Sequence, residues 1–204
     1  ADRSGYVLKP SGLSIDDLRS ITDHKASGGR LSELAESTPS SGPAHMVEAA
    51  LAYRLARPIL VDVSDSSDAH EAFIAALARG CDVATANKKP LADDPTVYQR
   101  LRQAADAHGR IIRAEATVGA GLPVIDTLEM LLATGDQLKD ARGCLSGTLG
   151  YLMSELEKGT RFSEAVKTAV KLGYTEPDPV ADLSGVDVAR KATILARLAD
   201  FKSA

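Results

Sequence analysis

The spacing of apolar residues changes along this chain, and each change marks an element. Residues 59–63, Ile-Leu-Val-Asp-Val, follow Pro58 as a short apolar run and predict a buried parallel strand. Residues 82–85 predict a second strand and 111–115 a third, with helical spacing over 68–79 and 96–108 between them. Upstream, Ser14 with Asp17 three residues later predicts a helix start. The helical period returns over 45–57, and 37–43 reads as a loop. Strands alternating with helices in this way predict a parallel, doubly wound α/β region up to about residue 115.

The pattern then changes character. Gly119, Gly121 and Pro123 interrupt the chain, and 122–134 reads as a helix. A strand is predicted over 137–145, followed by helices over 149–158 and 162–172, the latter stopped by Gly173. A long helix is expected over 184–201. The organisation predicted is therefore a Rossmann-like nucleotide-binding domain over 1–117, incomplete at its start. An α+β catalytic and dimerisation domain follows over 118–204, incomplete at its end.

Composition narrows the classes of function. The 204 residues carry 24 Lys and Arg against 28 Asp and Glu, a net charge of −4, with no basic block to suggest a nucleic-acid surface. No apolar run is long enough to predict a membrane span. Cys81 and Cys144 sit in apolar segments without metal-type spacing, and are expected as reduced core residues of a cytoplasmic protein. The four histidines are scattered, so a His-based zinc site or triad has little support.

No G-x-G-x-x-G occurs, and Val118-Gly119-Ala120-Gly121 supplies only half of one, too late in the chain for a dinucleotide turn. The opening Ala1-Asp2-Arg3-Ser4 reads instead as the polar end of a strand. There Asp2 or Arg3 could meet a ribose or its 2′-phosphate, which places the expected first strand and its glycines upstream.

Four segments carry candidate chemistry, each with a plainer reading beside it. Thr85-Ala86-Asn87-Lys88-Lys89-Pro90 lies at the carboxyl end of a predicted strand, the edge where open α/β sheets bind ligands. Alternatively it is a solvated basic turn. The segment from Glu115 to Pro123 could turn carbonyls and a carboxylate onto a hard cation, or be a Gly-rich hinge. Leu145-Ser146-Gly147-Thr148 offers amides and a hydroxyl to a carboxylate, or simply caps a helix. Finally, Gly173-Tyr174-Thr175-Glu176-Pro177-Asp178-Pro179 leads through Asp182 into a helix with Asp187 and Lys191 at i, i+4. The prolines stiffen the loop, and the acid and amine share one helix face. A surface ion pair beside a Pro-rich helix entry is the plainer alternative.

Taken in order, the motifs TANKKPLA, EATVGAGLPVIDTL, LSGTLGYL and GYTEPDPVADLSGVDVARKATILAR closely resemble homoserine dehydrogenase over nearly the whole chain. The wording is most similar to the type without a fused aspartate kinase. The resemblance implies an NAD- or NADP-dependent oxidoreductase that reduces L-aspartate 4-semialdehyde to L-homoserine, the branch step towards threonine and methionine. By motif position it implies Lys191 and Lys88 as catalytic lysines, with Asp187 positioning the hydroxyl. Glu176, Tyr174, Gly147, Thr148 and Asp182 would bind substrate. Val63, Ser64, Thr85, Lys88 and Arg3 would approach the cofactor. Glu115 with Val118, Ala120 and Leu122 would hold a sodium-type cation, and the assembly would be a homodimer. The competing reading is a truncated or degenerate paralogue that serves as a non-catalytic binding module.

Overall fold

A computed structural model describes residues 1–175 and 183–201. Local signals set most element ends. Ser14 caps the first helix, α1 (Ile15–Ala26), in a reciprocal box in which its side chain accepts from the Asp17 amide and Asp17 accepts from the Ser14 amide. Pro43 opens α2 (Pro43–Leu51), where its missing N–H costs nothing. This helix starts two residues before the predicted 45–57 and ends six short of it. Arg54 and Arg57 take left-handed backbone at φ 49° and 50°, which no helix can continue through.

The chain divides into two compact units, Ala1–Pro90 with Thr96–Arg113, and Leu91–Pro95 with Ala114–Ala204. In the first, strands β1 (Gly5–Val7) and β2 (Ser37–Pro39) form an antiparallel pair. Two expectations change here. Residues 37–39 are strand where a loop was predicted, and residues 1–4 form a turn ahead of β1 in place of a strand end. Asp2 organises that turn, accepting from Ser4, Gly5, Lys25 and Leu31.

Three further strands, β3 (Ile59–Asp62), β4 (Asp82–Thr85) and β5 (Ile112–Arg113), are parallel and lie in that order. The fold class is thus α/β, as the alternating pattern predicts. Helices α3 (Ala69–Ala78) and α5 (Pro95–His108) provide the crossovers, and the short α4 (Lys89–Ala92) follows β4. Phe73, Ala76, Leu77, Val83 and Leu101 are buried, as sheet-covering helices require. The third strand is shorter than predicted, because Glu115–Thr117 turns into a 3₁₀ helix.

The second unit is helical where it is described. Its elements are α6 (Val124–Ala133), α7 (Gly147–Glu157), α8 (Phe162–Lys171) and α9 (Val186–Leu198). Ala165 and Ala169, small residues one turn apart, let α8 approach α7 and seal Leu152. Residues 137–145 carry no regular structure, contrary to the strand predicted there. A strand exists only by exchanging backbone hydrogen bonds with a neighbour, and this segment has none among the described residues. Cys81 is buried as expected, but Cys144 is exposed. Burial pushes the Cys81 thiol pKa up and keeps it in its inert form. No described helix is long and apolar enough to cross a membrane.

Candidate functional site

Two groups of side chains emerge, one in each unit. In the first unit, β3 and β4 run in register with Asp62 opposite Thr85, so both strands end side by side. Val63 and Ser64 follow β3 and are exposed at this edge. The Ser64 N–H donates to Asp62 Oδ1 at 2.9 Å. From β4, Thr85 is buried, and its Oγ1 accepts the Asn87 N–H at 2.9 Å. Asn87 Nδ2 donates across to Asp62 Oδ2 at 3.1 Å and to the Ser66 carbonyl at 2.8 Å. Its Oδ1 accepts the Lys89 N–H at 3.1 Å. Lys89 Nζ reaches Asp65 at 2.9 Å. Lys88, half-buried, lies between Asn87 and Lys89 on the same segment. Arg3 stands exposed ahead of β1, in the separate antiparallel pair.

In the second unit, Ser146 caps α7 by accepting the Leu149 N–H, which sets Gly147 and Thr148 in its first turn. The Thr148 hydroxyl donates to the Tyr174 carbonyl. Gly173, at φ 71°, ends α8 in a left-handed turn, and the Tyr174 N–H returns to the Ala169 carbonyl at 2.9 Å. Tyr174 therefore leaves the helix at a defined angle, and its ring meets Tyr151 edge-on at 5.1 Å. Gly147, Thr148, Tyr151 and Tyr174 line one open pocket. A Cβ on Gly147 would meet nothing within 4 Å, so neither packing nor backbone strain requires glycine there.

On α9, Lys191 Nζ sits 2.7 Å from Asp187 Oδ2, the i, i+4 pair that the spacing predicts. It also donates to the Leu145 carbonyl at 2.9 Å, tying α9 to the residue just before Ser146. An ammonium has three protons, and these two bonds leave one. Two residues of this helix also grip the 91–95 segment. Arg190 forms two bonds to Asp93 at 2.6 and 2.9 Å, and Arg197 donates to the Leu91 carbonyl at 2.6 Å.

Glu115 accepts the Ile125 and Asp126 N–H groups at 3.1 and 2.7 Å, so its carboxylate faces the start of α6. Gly119 and Ala120 have φ of 91° and 53°, which turns the peptide between Val118 and Leu122 sharply. The Leu122 carbonyl accepts the Val124 N–H. No cluster of three His, Cys, Asp or Glu occurs among the described residues. Glu176 and Asp182 lie outside the described residues.

Comparison with known proteins bears directly on this arrangement. Residues 17–115 match the family model for the NAD-binding domain of homoserine dehydrogenase, and residues 123–203 match the model for homoserine dehydrogenase itself. The chain belongs to the homoserine dehydrogenase family. It is 41% identical over 177 residues to the homoserine dehydrogenase of Schizosaccharomyces pombe, a match covering 83% of this chain and 47% of that protein. It is 36% identical over 202 residues to the bifunctional aspartokinase/homoserine dehydrogenase of Haemophilus influenzae, covering 99% of this chain and 23% of that one. A solved hyperthermophilic archaeal homoserine dehydrogenase in complex with NADPH superimposes with a TM-score of 0.78 at 30% identity, over 97% of this chain and 58% of the other. The chain thus spans about half the length of the homoserine dehydrogenases it matches.

Within this family frame, several contacts at the two groups involve residues that the motif reading passed over. Asn87 sits inside a motif that was quoted, yet a strand-end Asn reads as an ordinary turn residue. Tyr151 likewise belongs to a quoted motif, but on a helix its ring reads as core. The Leu145 carbonyl has no sequence signal at all, since any residue supplies one.

Proposed function

We propose that this chain carries the reacting groups of a homoserine dehydrogenase, which interconverts L-aspartate 4-semialdehyde and L-homoserine with NAD or NADP. The observation that carries the reading is Lys191, whose ammonium is aimed by Asp187 and the Leu145 carbonyl and keeps one N–H for a substrate oxygen. When bound, the nicotinamide supplies the hydride. As the aldehyde is reduced, negative charge grows on its oxygen, and Lys191 stabilises that charge and delivers a proton. Asp187 holds the amine in place and positions the product hydroxyl. Lys88 is the second lysine assigned a catalytic role, by its motif position.

Gly147 and Thr148, with Tyr174, are assigned to the substrate pocket, Glu176 to the substrate ammonium, and Asp182 to substrate binding. The strand-end edge formed by Val63, Ser64, Thr85 and Lys88 suits the dinucleotide. It offers the exposed residues Val63 and Ser64 beside a braced turn at the carboxyl end of a parallel sheet. Arg3 is assigned to the ribose or its phosphate. The oxygen set of Glu115, Val118, Ala120 and Leu122 is hard, as a sodium-type cation needs, and those of Glu115 and Leu122 that accept an amide each retain a lone pair. The two-domain division at 117/118, a homodimer and a cytoplasmic location belong to the same proposal.

The test is oxidation of NADPH and of NADH by the purified chain in the presence of L-aspartate 4-semialdehyde. Turnover that disappears in Lys191→Ala supports the reading. Turnover unchanged in Lys191→Ala removes that residue from the chemistry, and no binding of semialdehyde or dinucleotide overturns the reading.

A further inference from the structure

Two loops leave the parallel sheet at its carboxyl edge, residues 62–66 after β3 and residues 85–89 after β4. What joins them is one buried amide. Asn87 is 2% exposed and donates from Nδ2 to both Asp62 Oδ2 and the Ser66 carbonyl, while its Oδ1 accepts the Lys89 N–H. Both of its donor protons and its acceptor are thereby engaged, each with a different residue. Its own N–H is held by Thr85 Oγ1. A carboxylate here would accept but not donate, and an apolar side chain would do neither. Asp62 in turn receives the Ser64 N–H on its other oxygen, so the Asn87–Asp62 contact extends to Ser64 in the middle of the first loop.

Lys89 adds a second, more exposed crossing, through Asp65 Oδ2 at 2.9 Å and the Asp65 carbonyl at 2.8 Å. The adjacent lysines therefore divide their work: Lys89 braces the loops, and Lys88 is held between two anchored neighbours. Sheet stability has its own source in Phe73, Leu77, Val83 and Leu101. A buried amide adds little to such a core compared with an apolar residue, but it selects one geometry for the groups it joins.

We infer that Asn87 is a positioning residue, which locks the loops at 62–66 and 85–89 into one platform and so fixes Val63 and Ser64 against Lys88. The inference rests on the proposed dinucleotide reading of this edge and deepens it. It is tested on the whole chain by amide hydrogen exchange and by NADPH titration followed by fluorescence. The variants are Asn87→Asp, Asn87→Ala, and the exchange pair Asp62→Asn with Asn87→Asp.

Asn87→Asp loses both donated bonds and sets two carboxylates face to face. The Ser64 and Lys89 amides are expected to exchange about tenfold faster, with Leu101 in α5 unchanged. NADPH affinity should fall about tenfold, as misplacement of a binding surface does. The exchanged pair should recover part of both effects, because Asn at 62 can donate to Asp at 87. Asn87→Ala removes the amide without adding charge and serves if the aspartate variant fails to fold. Unchanged exchange at Ser64 and Lys89 overturns the brace. Faster exchange with unaltered NADPH affinity overturns the positioning role alone. A wild-type chain that does not bind NADPH overturns the dinucleotide reading of the edge, and the positioning role with it.

Discussion

The strand-end edge of the first unit and the helix-end pocket of the second are built on opposite plans. At the edge, short polar side chains on adjoining loops bond to one another and to backbone. Asn87 is buried beneath them, and five residues are held by its network. At the pocket, side chains extend from helices that pack through Leu152, Ala165 and Ala169, with the pocket-lining Tyr151 against that cluster. On the same unit Lys191 is held by Asp187 and the Leu145 carbonyl, and Tyr174, held through its backbone and the Tyr151 ring, is half exposed. The lesson is that order comes from different contacts. The edge is ordered by polar bonds between its loops, whereas the second unit is ordered by packed helices with a few bonds at their ends.

The largest effect should separate the two lysines. Lys191→Ala is expected to lower turnover about a thousandfold, as loss of a group that stabilises developing charge does, with little change in unfolding temperature. Lys89→Ala should cost turnover far less, because its partner Asp65 is on the surface. Steady-state kinetics on both variants would break the comparison if the two losses were alike.

Next comes the support beneath the pocket. Leu152→Ala should destabilise the protein by about 2–5 kcal/mol, since it opens a cavity between α7 and α8. Urea unfolding measures it. A smaller loss is expected from Thr148→Val, which removes the hydroxyl held by the Tyr174 carbonyl. That should cost about 1 kcal/mol of stability and raise the KM for semialdehyde more than it lowers kcat. An equal fall in kcat would mean that Thr148 touches the reacting atoms.

The smallest effect concerns pH and the amino-terminal turn. Partial burial pushes the Asp2 carboxyl up, but hydrogen bonds from Lys25, Ser4 and Leu31 outweigh this and hold it well below the usual carboxylate range. Because the folded value lies below the ordinary 3.8, the stabilisation is complete above that pH and is lost as pH falls through the folded value. Asp2→Asn should therefore lower the unfolding free energy at neutral pH by about 1 kcal/mol or less, and the gap should narrow below pH 3.8. A gap independent of pH would show that shape and not charge holds the turn.

Much of this architecture is legible in the residues themselves. The capping box at Ser14, the strand β4 and the stop at Gly173 follow from signals spanning a few positions. The helical face shared by Asp187 and Lys191 is equally local, and the ion pair forms where the spacing puts it. The misses lie where local pattern is silent. Residues 137–145 read as a strand, but strand formation depends on a neighbour that no local pattern reports. The overlong 45–57 helix fails because Arg54 and Arg57 accept left-handed backbone, a conformation their residue type does not announce. Asp2 or Arg3 is expected from sequence to meet a ribose or its phosphate; what the local pattern does not report is that the Asp2 carboxylate accepts from Lys25 and Leu31, far along the chain.

By itself, then, the sequence determined the alternation of strands and helices, the polar motifs at their ends and the family to which these belong. Such features depend on neighbours within one or two turns, where covalent geometry dictates what can meet. Tertiary structure alone decided what each motif touches. Asn87 finds Asp62 across 25 positions, Thr148 finds Tyr174 across 26, and Lys191 finds the Leu145 carbonyl across 46. Those partners meet because the burial of Val83, Phe73 and Leu152 brings their elements together, and a hydrogen bond reaches only as far as packing carries its two ends.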